Sequence, residues 1–139
     1  NENLINTYNI IKNNVNELIY NLKILEKEYL SLEKDARKEY FYNIRKQYNS
    51  YKLDKDEKSL QKAVEFIFLN RTCFNGLYRV NKNDDFNVPM GNYKNPTICD
   101  EENLKALSRL IKNVKFQYGD YKTSQEYIKK NTFVYFDPP

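Results

Sequence analysis

Apolar positions recur with helical spacing through the first thirty residues. Leu4, Tyr8, Ile11, Val15, Leu18, Leu22, Leu25 and Tyr29 alternate steps of four and three, which places them on one stripe of an α-helix. Lys, Glu and Asn fill the other faces, so the spacing predicts one amphipathic packing helix over residues 3–30. Residues 32–49 predict a second helix, less periodic and rich in tyrosine (Tyr40, Tyr42, Tyr48). The polar run YNSYKLDKDE reads as a connection, with Asp54 or Asp56 as a candidate N-cap. A third helix is predicted from about Ser59. It carries Leu60, Ala63, Val64, Ile67 and Phe68 on one side, is more apolar than the first two, and is expected to be more buried.

The period is then lost. The stretch RTCFNGLYRVNKNDDFNVPMGNYKNPTICD, residues 71–100, holds Asn-Gly, Asp-Asp, Val-Pro, Gly-Asn and Asn-Pro, all turn-forming pairs. A loop of this length inside a compact domain is more often functional than not. Beyond it, Asp100 is the expected cap of a helix with Glu101 and Glu102 in its first turn, where the helix dipole favours acids. VKFQYGDY predicts a short strand ending at Gly119-Asp120, residues 123–130 a short helix or turn, and the continuous apolar run TFVYF a fully buried strand. The last forty residues therefore predict a piece of an α/β sheet.

Composition narrows the chemistry. The chain has 139 residues, enough for one modest domain or part of a larger one. It carries 23 Lys+Arg against 19 Asp+Glu, a net +4 that is compatible with a phosphate-rich partner without demanding one. The absence of His excludes a Ser-His-Asp triad, a Cys-His pair and imidazole metal ligation. Cys73 and Cys99 are too few for a structural zinc site and read as reduced thiols, so no metal is expected. No apolar stretch approaches the ~20 residues of a membrane span, and no basic-then-apolar start suggests a signal peptide. The expectation is a cytoplasmic protein with no membrane partner.

Ligands of an open α/β sheet sit outside the carboxyl ends of its strands. Two acids fall there, Asp120 after VKFQYG and Asp137 after TFVYF, and they line one crevice if the strands are parallel neighbours. A turn residue or N-cap is the plainer alternative for each. The prolines weigh against it for Asp137: Pro138 holds it extended, and neither Pro138 nor Pro139 has an N–H to be capped. A carboxylate beside a rigid carbonyl makes a two-acceptor site that suits an –NH2 group. The aperiodic loop has another character, with Arg71, Arg79, Lys82, Lys94, Asn75, Asn81, Asn87 and Asn92 set among aromatics and Asn70 just ahead of it. Arg can read guanine, Asn adenine, and aromatics stack on bases or wedge between them. By composition alone, a plain surface loop remains open.

Three stretches together, FLNRTCFNGLYRVN (68–81), FNVPMGNYKNP (86–96) and FVYFDPP (133–139), closely resemble the Dam-type, class D12 DNA adenine-N6 methyltransferases. Order and spacing match, and the likeness runs over essentially the whole chain. A lone Asp-Pro-Pro is a weak motif; its combination with the two loop stretches is specific. The resemblance implies a Rossmann-like α/β methyltransferase sheet with a mainly helical target-recognition region. Residues 1–31 are then a helix from the core, 32–97 the recognition region with its DNA-contacting loop, and 98–139 an α/β piece of the core ending at the motif. It implies double-stranded DNA as partner, S-adenosyl-L-methionine as cofactor, and a target adenine flipped from the duplex. The expected host is bacterial or phage-type and the expected state a monomer.

Carried over residue by residue, Asp137 and the Pro138 carbonyl would accept the two hydrogen bonds of the adenine amine, with Pro139 holding the corner. Gly119-Asp120-Tyr121 falls where the family contacts the cofactor's adenine, which makes Asp120 and Tyr121 the cofactor candidates. Phe74 matches the aromatic that intrudes at the flipped base, with Asn75 beside it. Leu77 and Arg79 match positions that touch a thymine methyl and a guanine in GATC-type members. Arg71, Pro89, Asn92 and Tyr93 fall among loop-folding and backbone-contact positions, and Asn70 and Asn81 are counted with them as DNA-binding candidates. Some members carry Arg where this chain has Asn92, which implies one phosphate contact fewer. The family's F-x-G-x-G cofactor loop, its ribose-binding acid before NENLIN and its tyrosine after Asp-Pro-Pro have no counterpart in the sequence. An internal fragment, inactive by itself, is therefore expected. Two other readings stay open: a non-enzymatic helical module binding nucleic acid or protein, and an N4-cytosine methyltransferase sharing the two-acceptor logic.

Overall fold

The computed structural model describes residues 1–52 and 59–137. Its helices are α1 (Glu2–Asn13), α2 (Val15–Ser31), α3 (Lys34–Ser50), α4 (Ser59–Thr72) and α5 (Glu101–Leu110). Short 3-10 turns occupy Phe74–Gly76 and Tyr121–Tyr127. The candidate caps Asp54 and Asp56 lie outside the described residues.

The single helix expected over 3–30 is two helices. Asn14 leaves helical geometry at φ −132° and ψ 33°, serving α1 as C-cap and α2 as N-cap. Its N–H donates to Ile10 O at 2.8 Å and its carbonyl accepts from Leu18 N at 3.0 Å. The cause is local: Asn13, Asn14 and Asn16 crowd the junction, and asparagine side chains compete for backbone partners in a helix interior. The apolar stripe survives the break, with Ile10, Ile11, Leu18, Ile19, Leu22 and Tyr29 all buried.

Helix α4 is the hub. Helices α1, α2 and α3 pack against it, and α5 packs on α1 and α2. The hub position explains why α4 buries Lys62, Ala63, Val64, Glu65, Phe68, Leu69 and Thr72 around much of its circumference rather than on one stripe. Phe68 is the centre of an aromatic cluster: Tyr29 meets it edge-on with centroids 5.3 Å apart, Tyr40 at 5.8 Å and Phe41 at 6.4 Å. The two buried charges of α4 are satisfied locally. Lys62 Nζ donates to Tyr48 O and, at 2.8 Å, to Tyr51 O, closing the C-terminal end of α3, and it sits 3.8 Å from the centre of the Tyr48 ring. Burial holds its pKa below the usual lysine value. Glu65 accepts from Tyr51 Oη at 2.6 Å and from Gln61 Nε2 at 2.9 Å.

Asp100 caps α5 as expected, its Oδ1 accepting from Asn103 N at 3.2 Å. Just before it, Glu26 of α2 accepts from Ile98 N at 2.8 Å and Cys99 N at 3.2 Å, which fastens the end of the long loop to the bundle.

The strand expectations are corrected. Among the described residues the backbone pairs only at two isolated antiparallel bridges, Cys73–Met90 and Val80–Phe86. The α/β sheet is absent there; the described chain is a helical bundle with an extended tail. Residues 114–118 and 132–137 run without ladder partners. TFVYF is not buried: Phe133 is 88% and Tyr135 75% exposed. A continuous apolar run is buried only as part of a sheet whose two faces are both covered, and the described residues provide neither the sheet nor its cover. Residues 123–130, expected as a short helix or turn, overlap the 3-10 segment Tyr121–Tyr127. No helix among the described residues is long and apolar enough to cross a membrane.

Candidate nucleic-acid interface and acid-bearing tail

The long loop is built from backbone contacts to α3 and α4. After α4 ends, Cys73 is fully buried and the chain turns sharply through Asn75 and Gly76, both left-handed at φ 53° and 61°. Asparagine and glycine are the residues that tolerate this geometry. Asn70 Nδ2 pins the turn by donating to Gly76 O at 2.7 Å, and Leu77 N donates to Phe74 O at 3.2 Å. The result lifts Phe74 and Leu77 outward, 52% and 48% exposed. Two large apolar side chains held in water on one short turn, beside cationic residues, are unusual for a packing element.

A hairpin-like excursion follows. Asn81 N donates to Asp85 O at 2.9 Å and Asp84 N to Asn81 O at 3.1 Å, with Asp84 left-handed at φ 62°. This is a three-residue hairpin loop ending on a left-handed residue. Asn81 builds it: Oδ1 accepts from Asn83 N and Asp85 N, and Nδ2 donates to Asp85 Oδ2 at 3.0 Å. On the flanks, Asn87 N donates to Arg79 O at 3.1 Å, and the exposed Arg79 donates through Nε to Asn87 Oδ1 at 2.7 Å.

The returning strand closes against the start. Phe74 N donates to Pro89 O at 2.9 Å and Gly91 N to Thr72 O at 2.8 Å. Gly91 lies so close to its neighbours that a Cβ there would sit 2.8 Å from Cys73 O and inside the Tyr93 ring contact. Asn92 and Tyr93 stay on the surface. Arg71, also exposed, lies 3.9 Å from Asp100 in a loose ion pair.

Helix α3 holds the outer side of the loop. Asn49 bonds Phe86 twice, accepting from its N–H at 2.9 Å and donating to its carbonyl at 3.0 Å. Arg45 donates to Val88 O at 3.2 Å and Arg37 to Lys94 O at 2.7 Å. Sequence reasoning missed Asn49, Arg45, Arg37 and Gly91 as builders of the site. Their partners lie far along the chain, and no local pattern signals them.

The acid-bearing tail is separate in sequence but joins itself. Asp120 caps the 3-10 turn, its Oδ1 accepting from Lys122 N at 2.9 Å, so the plainer capping alternative is realised at this residue. Tyr121 is exposed and meets Phe136 edge-on at 6.0 Å. That contact brings the residue before Asp137 against the residue after Asp120. Asp137 is exposed; Pro138 and Pro139 lie outside the described residues. A hollow lined by Asn1, Tyr48, Lys62, Tyr78, Asp85 and Tyr118 separates the hairpin from the segment leading to Asp120.

The loop thus presents an outward apolar pair and an exposed arginine tied to Asn87, and the extended tail ends on an exposed carboxylate. The chain matches, over residues 1–139, the family described as D12 class N6 adenine-specific DNA methyltransferase, and it belongs to that family. It is 52% identical over 139 residues to the Type II methyltransferase M.MjaIII of Methanocaldococcus jannaschii, covering all of this chain and 47% of that protein. It is 36% identical over 141 residues to the Type II methyltransferase M1.LlaDCHI of Lactococcus lactis subsp. cremoris, again covering 47% of it. Against the DNA adenine methylase of Haemophilus influenzae the identity is 32% over 140 residues, 45% of that protein. The chain thus spans about half the length of the curated relatives it matches.

Proposed function

We propose that the whole protein transfers a methyl group to N6 of an adenine in double-stranded DNA, and that this chain supplies its target-reading loop and its amine-gripping acid. The observation that carries this is the exposure of Phe74, Leu77 and Arg79 on one braced loop, in a chain that belongs to the family over its full length.

Each residue has a physical task. An exocyclic amine is a poor nucleophile because its lone pair is delocalised into the ring. Asp137 and the Pro138 carbonyl accept its two N–H bonds, oppose that delocalisation and aim the nitrogen, with Pro139 stiffening the corner. S-adenosyl-L-methionine, when bound, supplies the electrophilic methyl group. The residues present fit its adenine end. Asp120 keeps an exposed carboxylate edge able to accept from an amino group, and Tyr121 offers an open ring face for stacking. Phe74 fills the space at the extruded base with Asn75 beside it, Leu77 meets a thymine methyl, and Arg79 reads a guanine of a GATC-like site. Asn70, Arg71, Asn81, Pro89, Asn92 and Tyr93 shape the loop and follow the DNA backbone. The exposed apolar residues of 114–118 and 132–136 join a Rossmann-like sheet in the whole protein. The three glycines, Gly76, Gly91 and Gly119, form no glycine-rich cofactor loop, so the 139-residue chain alone is inactive.

The test uses the full gene product in a host that lacks DNA methylation, comparing the native sequence with Asp137→Ala. Digested genomic DNA, analysed by mass spectrometry, should contain N6-methyladenine for the native protein and none above background for the variant. Methylation retained by the variant refutes the role of Asp137. N4-methylcytosine in place of N6-methyladenine refutes the adenine substrate while keeping the two-acceptor chemistry.

A further inference from the structure

A guanidinium can grip a planar pair of acceptors through its end (Nη1 and Nη2) or through its side (Nε and Nη2). In this fold the side edge of Arg79 is taken. Nε donates to Asn87 Oδ1 at 2.7 Å, Nη2 reaches Asn87 O at 3.4 Å, and Asn87 N donates back to Arg79 O at 3.1 Å. Asn87 is itself fixed. Its neighbour Phe86 is 2% exposed, bridges to Val80, and has both backbone groups held by Asn49 of α3. A relay therefore runs from helix α3 through Asn49, Phe86 and Asn87 to an exposed guanidinium.

We propose that Asn87 is a specificity-positioning residue: it occupies the side edge of Arg79, so that only the Nη1/Nη2 end can meet a base pair, in one orientation. Two consequences follow. The rotamer freedom that an exposed arginine loses on binding is already surrendered in the free protein. Side-on gripping of a phosphate, which would hold DNA without reading it, is blocked. This rests on Arg79 being the guanine reader proposed above.

The experiment measures binding of the full gene product, by fluorescence anisotropy at one fixed salt concentration, to short duplexes. One duplex carries a single GATC; the others have each of its base pairs replaced in turn. A bidentate guanine contact gives about 10- to 100-fold discrimination at its own base pair. Asn87→Ala should lower that one ratio by about tenfold while leaving the ratios at the other pairs and the melting temperature of the free protein unchanged. Asn87→Asp keeps an acceptor for Nε, so it should preserve the ratio while its charge weakens binding to every duplex alike. Combining Arg79→Ala with Asn87→Ala should lose no more discrimination than Arg79→Ala alone.

Equal weakening by Asn87→Ala on every duplex overturns the inference, as does an Asn87→Asp protein that loses the ratio as alanine does. If Arg79→Ala leaves the ratios untouched, or the native protein shows no preference among the duplexes, the base-reading role itself falls and the inference with it. If Arg79→Ala collapses one ratio and Asn87→Ala does not, the base-reading role stands and only the relay is wrong.

Discussion

Replacing Asn49 with alanine removes both hydrogen bonds to Phe86, at 2.9 Å and 3.0 Å, from a half-buried site. Each neutral bond contributes about 1 kcal/mol net, and each backbone group left without a partner costs up to ~1–3 kcal/mol where water cannot replace the amide. Because the site is half-buried, water reaches part of it, and a loss of about 2 kcal/mol is expected. Urea unfolding followed by far-UV circular dichroism reads this directly. With a slope of ~2 kcal/mol per molar urea, the midpoint should fall by about 1 M with the slope unchanged. Asn49→Leu restores volume but neither bond, and should fall equally, which separates hydrogen bonding from cavity formation. A loss below ~0.5 kcal/mol for alanine, or rescue by leucine, refutes the claim that the amide braces the loop.

Gly91→Ala forces a methyl group against Cys73 O and the Tyr93 ring, so it should cost about 1–3 kcal/mol in the same unfolding assay; a neutral result means the loop closes elsewhere. Tyr48 is 1% exposed and its hydroxyl makes no hydrogen bond of good geometry among the described residues, the Tyr78 hydroxyl being its nearby candidate, so Tyr48→Phe should raise stability by up to ~1 kcal/mol at neutral pH; a clear loss shows that Tyr78 satisfies the hydroxyl. The Glu101 carboxyl is held down to about 2 from its ordinary 4.5 by hydrogen bonds from Lys105 and Lys23. A depressed acid contributes stability above its unfolded value and loses it as protons return. Between pH 4.5 and about 2 the native protein should therefore lose more stability than Glu101→Gln, and parallel acid limbs for the two proteins refute the pairing.

The parts of this fold that local chemistry determines are the parts that sequence reveals. Helices α3, α4 and α5 begin or end within a few residues of their expected positions, and Asp100 caps α5, because periodicity and capping act over one or two turns. The break at Asn14 escaped because a continuous apolar stripe outweighed a cluster of poor helix formers that sit on its polar side. TFVYF shows the opposite failure. Its composition describes the environment a strand prefers, while burial depends on neighbours that composition cannot name. The candidate site divides the same way. Asn75-Gly76 and the turn at Asn81–Asp85 follow from turn-forming residues, but the bracing of that loop by Asn49 and Gly91 depends on contacts between residues distant in sequence.

Arg37, Arg45 and Asn49 lie eight and then four residues apart, so they share one face of α3. The hydrogen bonds of all three to the loop go to backbone: the Lys94 carbonyl, the Val88 carbonyl and both groups of Phe86. Arg37 also bonds the Leu30 and Leu32 carbonyls at the end of α2, which fixes the helix that carries the face. A loop held in this way keeps its course whatever its outward side chains are. The side chains of Phe74, Leu77 and Arg79 are exposed and take no part in the bracing bonds from α3. On the proposed function, loop stability and base contact are thus carried largely by different residues. Substitutions on the face that grips the loop should therefore cost stability, while substitutions at the outward positions proposed to meet DNA should leave the scaffold that presents them folded.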